Sequence, residues 1–304
     1  MELRHLRYFL AVCEELHFGR AAKRVHISQP PLSQQIKQLE DELHVKLFYR
    51  TRRKVELTEA GRVFASEARL ILEQVDNAAR LALKSDRSIQ NRLVVGCSFA
   101  NSIIAVKILR VFKERYPKIH VVVKSRVTPQ QIEALRNGYI DVGFVTTPVE
   151  SEGLNIVPIN SEPLVVAIPK NHPLASRRRL TLRSLASETL IIFPLHMSPS
   201  RYELITGMCR RAGFSLHVIH EIDNIHTMLD LIRAGFGVSL MRASVTEVPH
   251  KSVVFRELRH SPLVETAIAY RRENNMSSIP QLLEVAKEVM QTGWAGLKVS
   301  RADE

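Results

Sequence analysis

Gln29, Ser33, Gln34 and Lys37 share the polar face of one amphipathic segment whose apolar positions, Leu32, Ile36, Leu39 and Leu43, recur at steps of 4, 3 and 4. The chemistry open to such a set is hydrogen bonding to base edges. A glutamine amide can pair with adenine in two places, serine adapts to either partner, and lysine reaches guanine or phosphate. Acidic side chains enter only at Glu40, Asp41 and Glu42. Shortly after, β-like runs at 46–49 and 55–57 enclose Arg50-Thr51-Arg52-Arg53-Lys54, four cations on a hairpin tip suited to phosphates or a minor groove. Either feature alone would read as a solvated polar surface; their succession favours DNA binding.

A second constellation lies further along the chain, where short apolar strands give way to helix starts rich in hydroxyls. Ser98, Phe99, Asn101 and Ser102 follow one strand, Thr128 another, Ser198, Ser200 and Arg201 a third, and residues 224–227 a fourth. Free N–H groups at helix N-termini beyond strand ends favour a small anion, a carboxylate above all. Arg201 could pair a carboxylate bidentately, while Phe99 could stack and Asn101 hydrogen-bond. The plainer alternatives are that Thr128 caps its own helix and that Ser198, Ser200 and Arg201 are solvated loop.

Other chemistries find little support. The three cysteines, Cys13, Cys97 and Cys209, form no CxxC pair, although Cys209 lies among arginines as a redox-sensing thiol would. The 12 histidines show no metal-ligand spacing, and His217 and His220 fall on opposite faces of a strand, so no metal is expected. GxSxG, Walker and GxGxxG motifs are absent, which argues against an enzyme and against a bound cofactor. No apolar run reaches the roughly 18 residues that span a bilayer, and the start lacks the core of a signal peptide, so a cytoplasmic protein is expected. The net charge of +12 suits a polyanionic partner without locating it: residues 1–90 hold 16 Lys and Arg against 12 Asp and Glu, and the rest hold 27 against 19.

Placing the first set of residues requires a compact helical unit. Leu3, Leu6, Phe9, Leu10, Cys13 and Leu16 outline a first helix and residues 20–25 a short second one. Ser28 stands at an N-cap position before Pro30 and Pro31, which a first helical turn tolerates. Thr58 can cap a longer helix in which Phe64, Ala68, Ile71, Val75, Ala78 and Ala82 follow heptad steps. That stripe is either a coiled-coil seam or the face of a helix lying on its own domain. Beyond the polar stretch 84–91, strands at 93–96, 119–123, 141–145, 164–168, 190–193, 218–222, 238–240 and 266–270 alternate with helices, predicting an α/β domain with parallel sheet. Thr128, Pro129 and Gln131 read as N-cap, N1 and N3 of one of these helices, and Ser278 as the cap of the last.

The succession FGRAAKRVHISQPPLSQQIKQLEDEL and LFYRTRRKVELTEAG closely resembles the DNA-binding domain of LysR-type transcriptional regulators. LRNGYIDVGFV, EPLVVAIPKNHPLA and IRAGFGVSL resemble that family's effector domain more loosely. The resemblance implies a winged helix-turn-helix (1–58), a linker and dimerisation helix (59–90), and a periplasmic-binding-protein-like effector domain (91–304). The last would have two Rossmann-like subdomains, I at about 91–161 and 265–304 and II at about 162–264. It also implies DNA contacts from Gln29, Pro30, Pro31, Ser33, Gln34, Lys37, Arg52 and Arg53. The effector cleft would lie at Ser98, Phe99, Asn101, Ser102, Thr128, Ser198, Ser200 and Arg201. The expected function is a transcriptional regulator modulated by a small, anionic effector. Its expected partners are a double-stranded operator, a second copy through the linker helix with a homotetramer beyond it, and RNA polymerase as a further candidate. Two departures stand out: position 34 is often arginine in the family, and Met241-Arg242 replaces a leucine or isoleucine with proline.

Overall fold

The computed structural model describes residues 1–51, 54–84, 92–215, 218–222, 224–247 and 250–291. The chain divides into two compact units, Met1–Ile89 and Gln90–Glu304.

In the first unit, helices α1 (Leu3–Glu15), α2 (Phe18–Arg24) and α3 (Gln29–Leu43) are followed by the hairpin β1 (Phe48–Arg50) and β2 (Val55–Leu57) and by the long helix α4 (Glu59–Lys84). The stripe foreseen for α3 meets part of that foreseen for α1 in one core containing Leu6, Phe9, Leu32, Ile36 and Leu39, which Val12 joins, whereas Leu3 and Leu16 are exposed. Phe9 stands between the rings of Phe48 and Phe64, with centroids 5.3 and 5.1 Å away. The second helix begins two residues before the expected stretch, because the His17 ring accepts from the Gly19 and Arg20 N–H groups and caps it. Ser28 occupies the N-cap of α3 but makes no capping hydrogen bond, so the two prolines set the start of that helix.

The hairpin is tied to α3 by Glu40, a buried carboxylate that accepts from the N–H groups of Leu47 (2.9 Å) and Phe48 (3.1 Å) and from the guanidinium of Arg50 (3.0 Å). Arg50 is therefore a strand residue held at the surface of the unit, also stacked on Phe18 at 4.8 Å, and not one of the cations on the tip. Thr58 accepts from the Gly61 N–H and donates to the Lys46 carbonyl, the cap foreseen for α4. Gly61 sits so tightly that a Cβ there would lie 2.1 Å from the Leu47 carbonyl oxygen. Because that neighbour is backbone, Gly61→Ala is expected to cost about 1–3 kcal/mol by displacing α4 from the hairpin, read as a lowered melting transition of the first unit.

The heptad stripe of α4 splits. Phe64, Ala68 and Ile71 pack on the core of their own unit, as the second alternative had it. Further along, Val75 is half-buried and Ala78 exposed.

The second unit begins with β3 (Arg92–Cys97), α5 (Phe99–Arg115), β4 (His120–Ser125), α6 (Thr128–Arg136) and β5 (Val142–Thr146). The long strand β6 (Leu154–Pro169) follows, then β7 (Arg179–Leu180), β8 (Leu190–Ile192), α7 (Pro199–Arg211), β9 (Val218–Glu221), α8 (Ile225–Arg233), β10 (Ser239–Arg242) and β11 (Val253–Leu258). β12 (Leu263–Arg271) and α9 (Ser278–Gln291) return to the first strands, as expected. β3 pairs in parallel with β4 and β5, and β8 with β9, but β12 is antiparallel to β5 and β6, and β10 and β11 are antiparallel to β6. The sheet is thus mixed rather than parallel. β6 serves both halves, pairing with β12 over Leu154–Pro163 and with β10 and β11 over the remainder.

Alternate residues of β6 enter different cores, Leu164, Val166 and Ile168 on one face, Val165 and Ala167 on the other. That is why this strand reads as a continuous apolar run. β3 does the same, with Leu93 and Val95 facing α5 and α9 and Val94 facing α6. Two helix starts differ from expectation. Val127 is the N-cap of α6, with the N3 side chain of Gln130 reaching back to its N–H, and the Thr128 hydroxyl instead accepts from the Thr146 N–H at 3.1 Å. Ser278 is the first residue of α9, and its hydroxyl is buried without a hydrogen bond.

Candidate functional site

Two surfaces could carry function, one in each unit. On α3, the four apolar residues that anchor the helix turn inward, which leaves Gln29, Pro30, Pro31, Gln34 and Lys37 exposed and Ser33 half-buried. Among the described residues none of the side chains of Gln29, Ser33, Gln34 or Lys37 has a hydrogen-bond partner, whereas Gln35 is held by His5 and Gln38 by Glu42. The helix therefore presents an uncommitted set of amide, hydroxyl and ammonium groups, fixed in position by a rigid apolar face. Arg52 and Arg53 lie outside the described residues. Lys54, at the base of the tip, is paired with Glu56.

In the second unit, a cleft of about 520 Å³, open to solvent, is lined by Ser98, Phe99, Thr128, Phe193, Ser198 and Arg201, with Val127, Thr146, Met197, Ile225 and Arg242 completing it. Its polar residues arrive from strand ends and helix starts: Ser98 is the N-cap of α5, Thr128 opens α6 and Ser198 is the N-cap of α7. None of these three hydroxyls caps its own helix; those of Ser98 and Ser198 stand at the cleft wall, and that of Thr128 accepts from the Thr146 N–H and keeps only its proton to donate.

The cleft holds two guanidinium groups in different electrostatic situations. Arg242, at the end of β10, is 3% exposed and donates to Asn101 Oδ1 (2.8 Å), Thr266 Oγ1 (2.6 Å) and Thr146 Oγ1 (2.7 Å). The Glu162 carboxylate lies 3.6 Å away and itself accepts from the Ser244 N–H and hydroxyl. Burial pushes Arg242 below its ordinary pKa, and Glu162 counters part of that shift. Arg201, in the first turn of α7, donates through Nη2 to the Leu240 carbonyl at 2.7 Å and stacks on Phe193 at 5.1 Å. Among the described residues no carboxylate pairs with it. Burial first, and repulsion from Arg242 second, bring its pKa down to about 10 against a smaller opposing pull from Glu162, so it remains cationic at neutral pH.

Residues 3–62 match the family described as "Bacterial regulatory helix-turn-helix protein, lysR family", and residues 86–291 match "LysR substrate binding domain". The chain belongs to the LysR family of transcriptional regulators.

This LysR-family regulator is 36% identical over 288 residues to the HTH-type transcriptional regulator AlsR of Bacillus subtilis (strain 168), covering 94% of this chain and 95% of that protein. It is 41% identical over 267 residues to the uncharacterized HTH-type transcriptional regulator YnfL of Escherichia coli (strain K12), covering 87% and 88% of the two chains. Among solved structures, the LysR-family transcriptional regulator CbnR superposes with a TM-score of 0.67 at 28% identity, over 95% of this chain and 99% of that one. Full-length CbnR complexed with its target DNA gives 0.65 at the same identity, over 95% and 100%. The protein is thus a DNA-binding transcriptional regulator with an effector domain, and not an enzyme.

Within the LysR-family regulator, five of the eight residues foreseen for the effector cleft come together: Ser98, Phe99, Thr128, Ser198 and Arg201. Three do not. Asn101 is fully buried and occupied, its amide donating to the Phe144 carbonyl and its oxygen accepting from Arg242 and Thr266. The Ser102 hydroxyl bonds the Phe99 carbonyl, and Ser200 lies off the lining. Arg242, the departure from the family pattern that the sequence shows inside the apolar run VSLMRA, lines the same cleft, as does Thr146, which no motif singles out. Cys209 is fully buried and its thiol is pushed up to about 11 by burial, which removes the thiolate that a redox sensor needs. No cluster of metal-ligating side chains exists among the described residues, and His217 lies outside them. Among the described residues no helix is long and apolar enough to cross a membrane.

Proposed function

We propose that this LysR-family regulator reads paired operator half-sites through Gln29, Pro30, Pro31, Ser33, Gln34 and Lys37, with Arg52 and Arg53 on adjacent backbone, and that a small anionic effector in the cleft of the second unit modulates that binding. The observation that carries the effector's charge is Arg201, a buried cation that among the described residues has one carbonyl partner and no carboxylate within ion-pair distance, Glu162 acting on it only at longer range. A buried unpaired charge is unfavourable, and an anion that pairs with it removes the penalty. Ser98, Thr128 and Ser198 supply hydroxyls around the same space.

Two copies would join through α4 beyond Ile71, where Val75 and Ala78 are not taken up by their own unit's core, and a tetramer would follow from pairing of dimers. Such an assembly fits a protein that acts in the cytoplasm on double-stranded operators. The effector shifts operator binding only insofar as its affinity differs between two arrangements of the assembly.

The test is an operator footprint recorded with and without small organic anions on the wild type and on Arg201→Gln. An anion that alters the wild-type footprint should leave that of the variant unchanged, while both proteins bind the operator alone with equal affinity. An effect that persists undiminished in Arg201→Gln would remove Arg201 as the anion partner.

A further inference from the structure

The cleft is larger than its anion-binding end requires. Beside Arg201 and Arg242 it continues into a second, narrow chamber open to solvent, whose remaining lining is almost wholly apolar. Ile103 from α5 and Met241 and Val245 around the end of β10 form its own walls, with Phe99, Phe193 and Ile225 from α8 shared between the two spaces. The one hydroxyl in that lining, from Ser244, is already bonded to Glu162. A ligand reaching into this chamber finds no free polar partner on it, so the part that enters must be hydrocarbon.

The charges at the junction set a second condition. Arg201, Arg242 and Glu162 are all buried and together carry one net positive charge. Glu162 lies beside Arg242, whose two terminal nitrogens are engaged by Asn101, Thr146 and Thr266, and whose Nε is buried without a partner. Arg242 is therefore already compensated and fixed, and it repels Arg201. One negative charge placed on Arg201 neutralises the site; a second, directed into the apolar chamber, would be as costly as the one it compensates.

Resting on the reading of the cleft as an anion site, we propose that the ligand class is an amphipathic monocarboxylate: one carboxylate on the free part of the Arg201 fork, flanked by the hydroxyls of Ser98, Thr128 and Ser198, and a hydrocarbon body in the chamber of Ile103, Ile225, Met241 and Val245. Arg201 sets the charge accepted, and Ile103 the length. Arg242 is a positioning residue that holds the junction through Asn101, Thr146 and Thr266.

Calorimetric titration of the full-length protein with four probes tests this: hexanoate; adipate, of the same length with a second carboxylate; hexanamide, of similar shape without charge; and acetate, without the hydrocarbon body. Hexanoate should bind most tightly, with the other three weaker by about tenfold or more. Ile103→Trp fills the chamber from a half-buried position, and should weaken hexanoate by about tenfold or more while leaving acetate unaltered. Adipate or hexanamide binding as well as hexanoate, no measurable hexanoate binding, or an Ile103→Trp protein that binds hexanoate normally would each overturn the monocarboxylate assignment. The underlying reading fails separately, if no small anion of any kind alters the operator footprint.

Discussion

Replacing Gln29 and Ser33 together by alanine is expected to remove the sequence-specific part of operator binding while leaving the protein folded and still able to bind DNA non-specifically. Gln29 is exposed and Ser33 half-buried, neither side chain has a hydrogen-bond partner among the described residues, and neither belongs to the core built by Leu32, Ile36 and Leu39. Each lost base contact costs roughly 1–3 kcal/mol, so the pair should weaken the operator complex by about one and a half to four powers of ten. Non-specific affinity and its salt slope should stay put, because neither residue carries charge. Arg53→Ala should behave in the opposite way, weakening all DNA sequences alike and lowering the salt slope by about one if the wing holds a phosphate. An unaltered footprint in the Gln29/Ser33 double variant would show that α3 is not the reading helix.

That contrast depends on a part of the chain whose structure was legible locally. The stripe of α3, the two prolines at its start and the Thr58 cap all act within a few residues, and each reappears where the spacing placed it. Legibility declined wherever the decisive partner lay far along the chain. Only the second half of β6 stood out, because residues 164–168 are buried on both faces; the first half contains Pro158 and Pro163 and owes its strand conformation to β12, more than a hundred residues later. Its antiparallel pairing made the sheet mixed, and no alternation of strands and helices could have announced that.

The cleft shows the same division. Hydroxyls at helix starts were identifiable because strand-to-helix junctions are local events, and Ser98, Thr128 and Ser198 do converge. Asn101 misled for the same reason: a polar residue in a first helical turn reads as a ligand contact until its partner Arg242, 141 residues away, is seen to occupy it. The arginine that fixes the junction thus took the place of the asparagine as the residue to explain. Its signal was compositional, a cation in a buried strand, and became interpretable only once Glu162 was found beside it.

Glu40→Ala is expected to destabilise the first unit strongly. The carboxylate side chain is 2% exposed, and its removal leaves the Leu47 and Phe48 N–H groups buried without an acceptor and the half-buried Arg50 without its counter-ion. Unsatisfied buried donors cost about 1–3 kcal/mol each, and breaking one side of a buried ion pair costs about 3–5 kcal/mol. Since these losses overlap, a total of roughly 3–5 kcal/mol is expected, read as a lowered denaturation midpoint of the first unit with the second unit unmoved. The exposed Lys46 ammonium, 3.4 Å from the same carboxylate, adds little, so Lys46→Ala should fall within about 0.5 kcal/mol of wild type. Arg50→Ala in the Glu40→Ala background should cost less than Arg50→Ala alone, because the charge it removes is already unpaired. The functional consequence follows from geometry: Glu40 is on the helix proposed to read bases, and its partners are on the hairpin that carries the wing. Operator affinity should therefore fall with stability in Glu40→Ala, and in Glu40→Gln, which keeps one acceptor oxygen, both should fall by less. Additive costs for Glu40→Ala and Arg50→Ala would show that the carboxylate does not hold the hairpin to α3 through that pair.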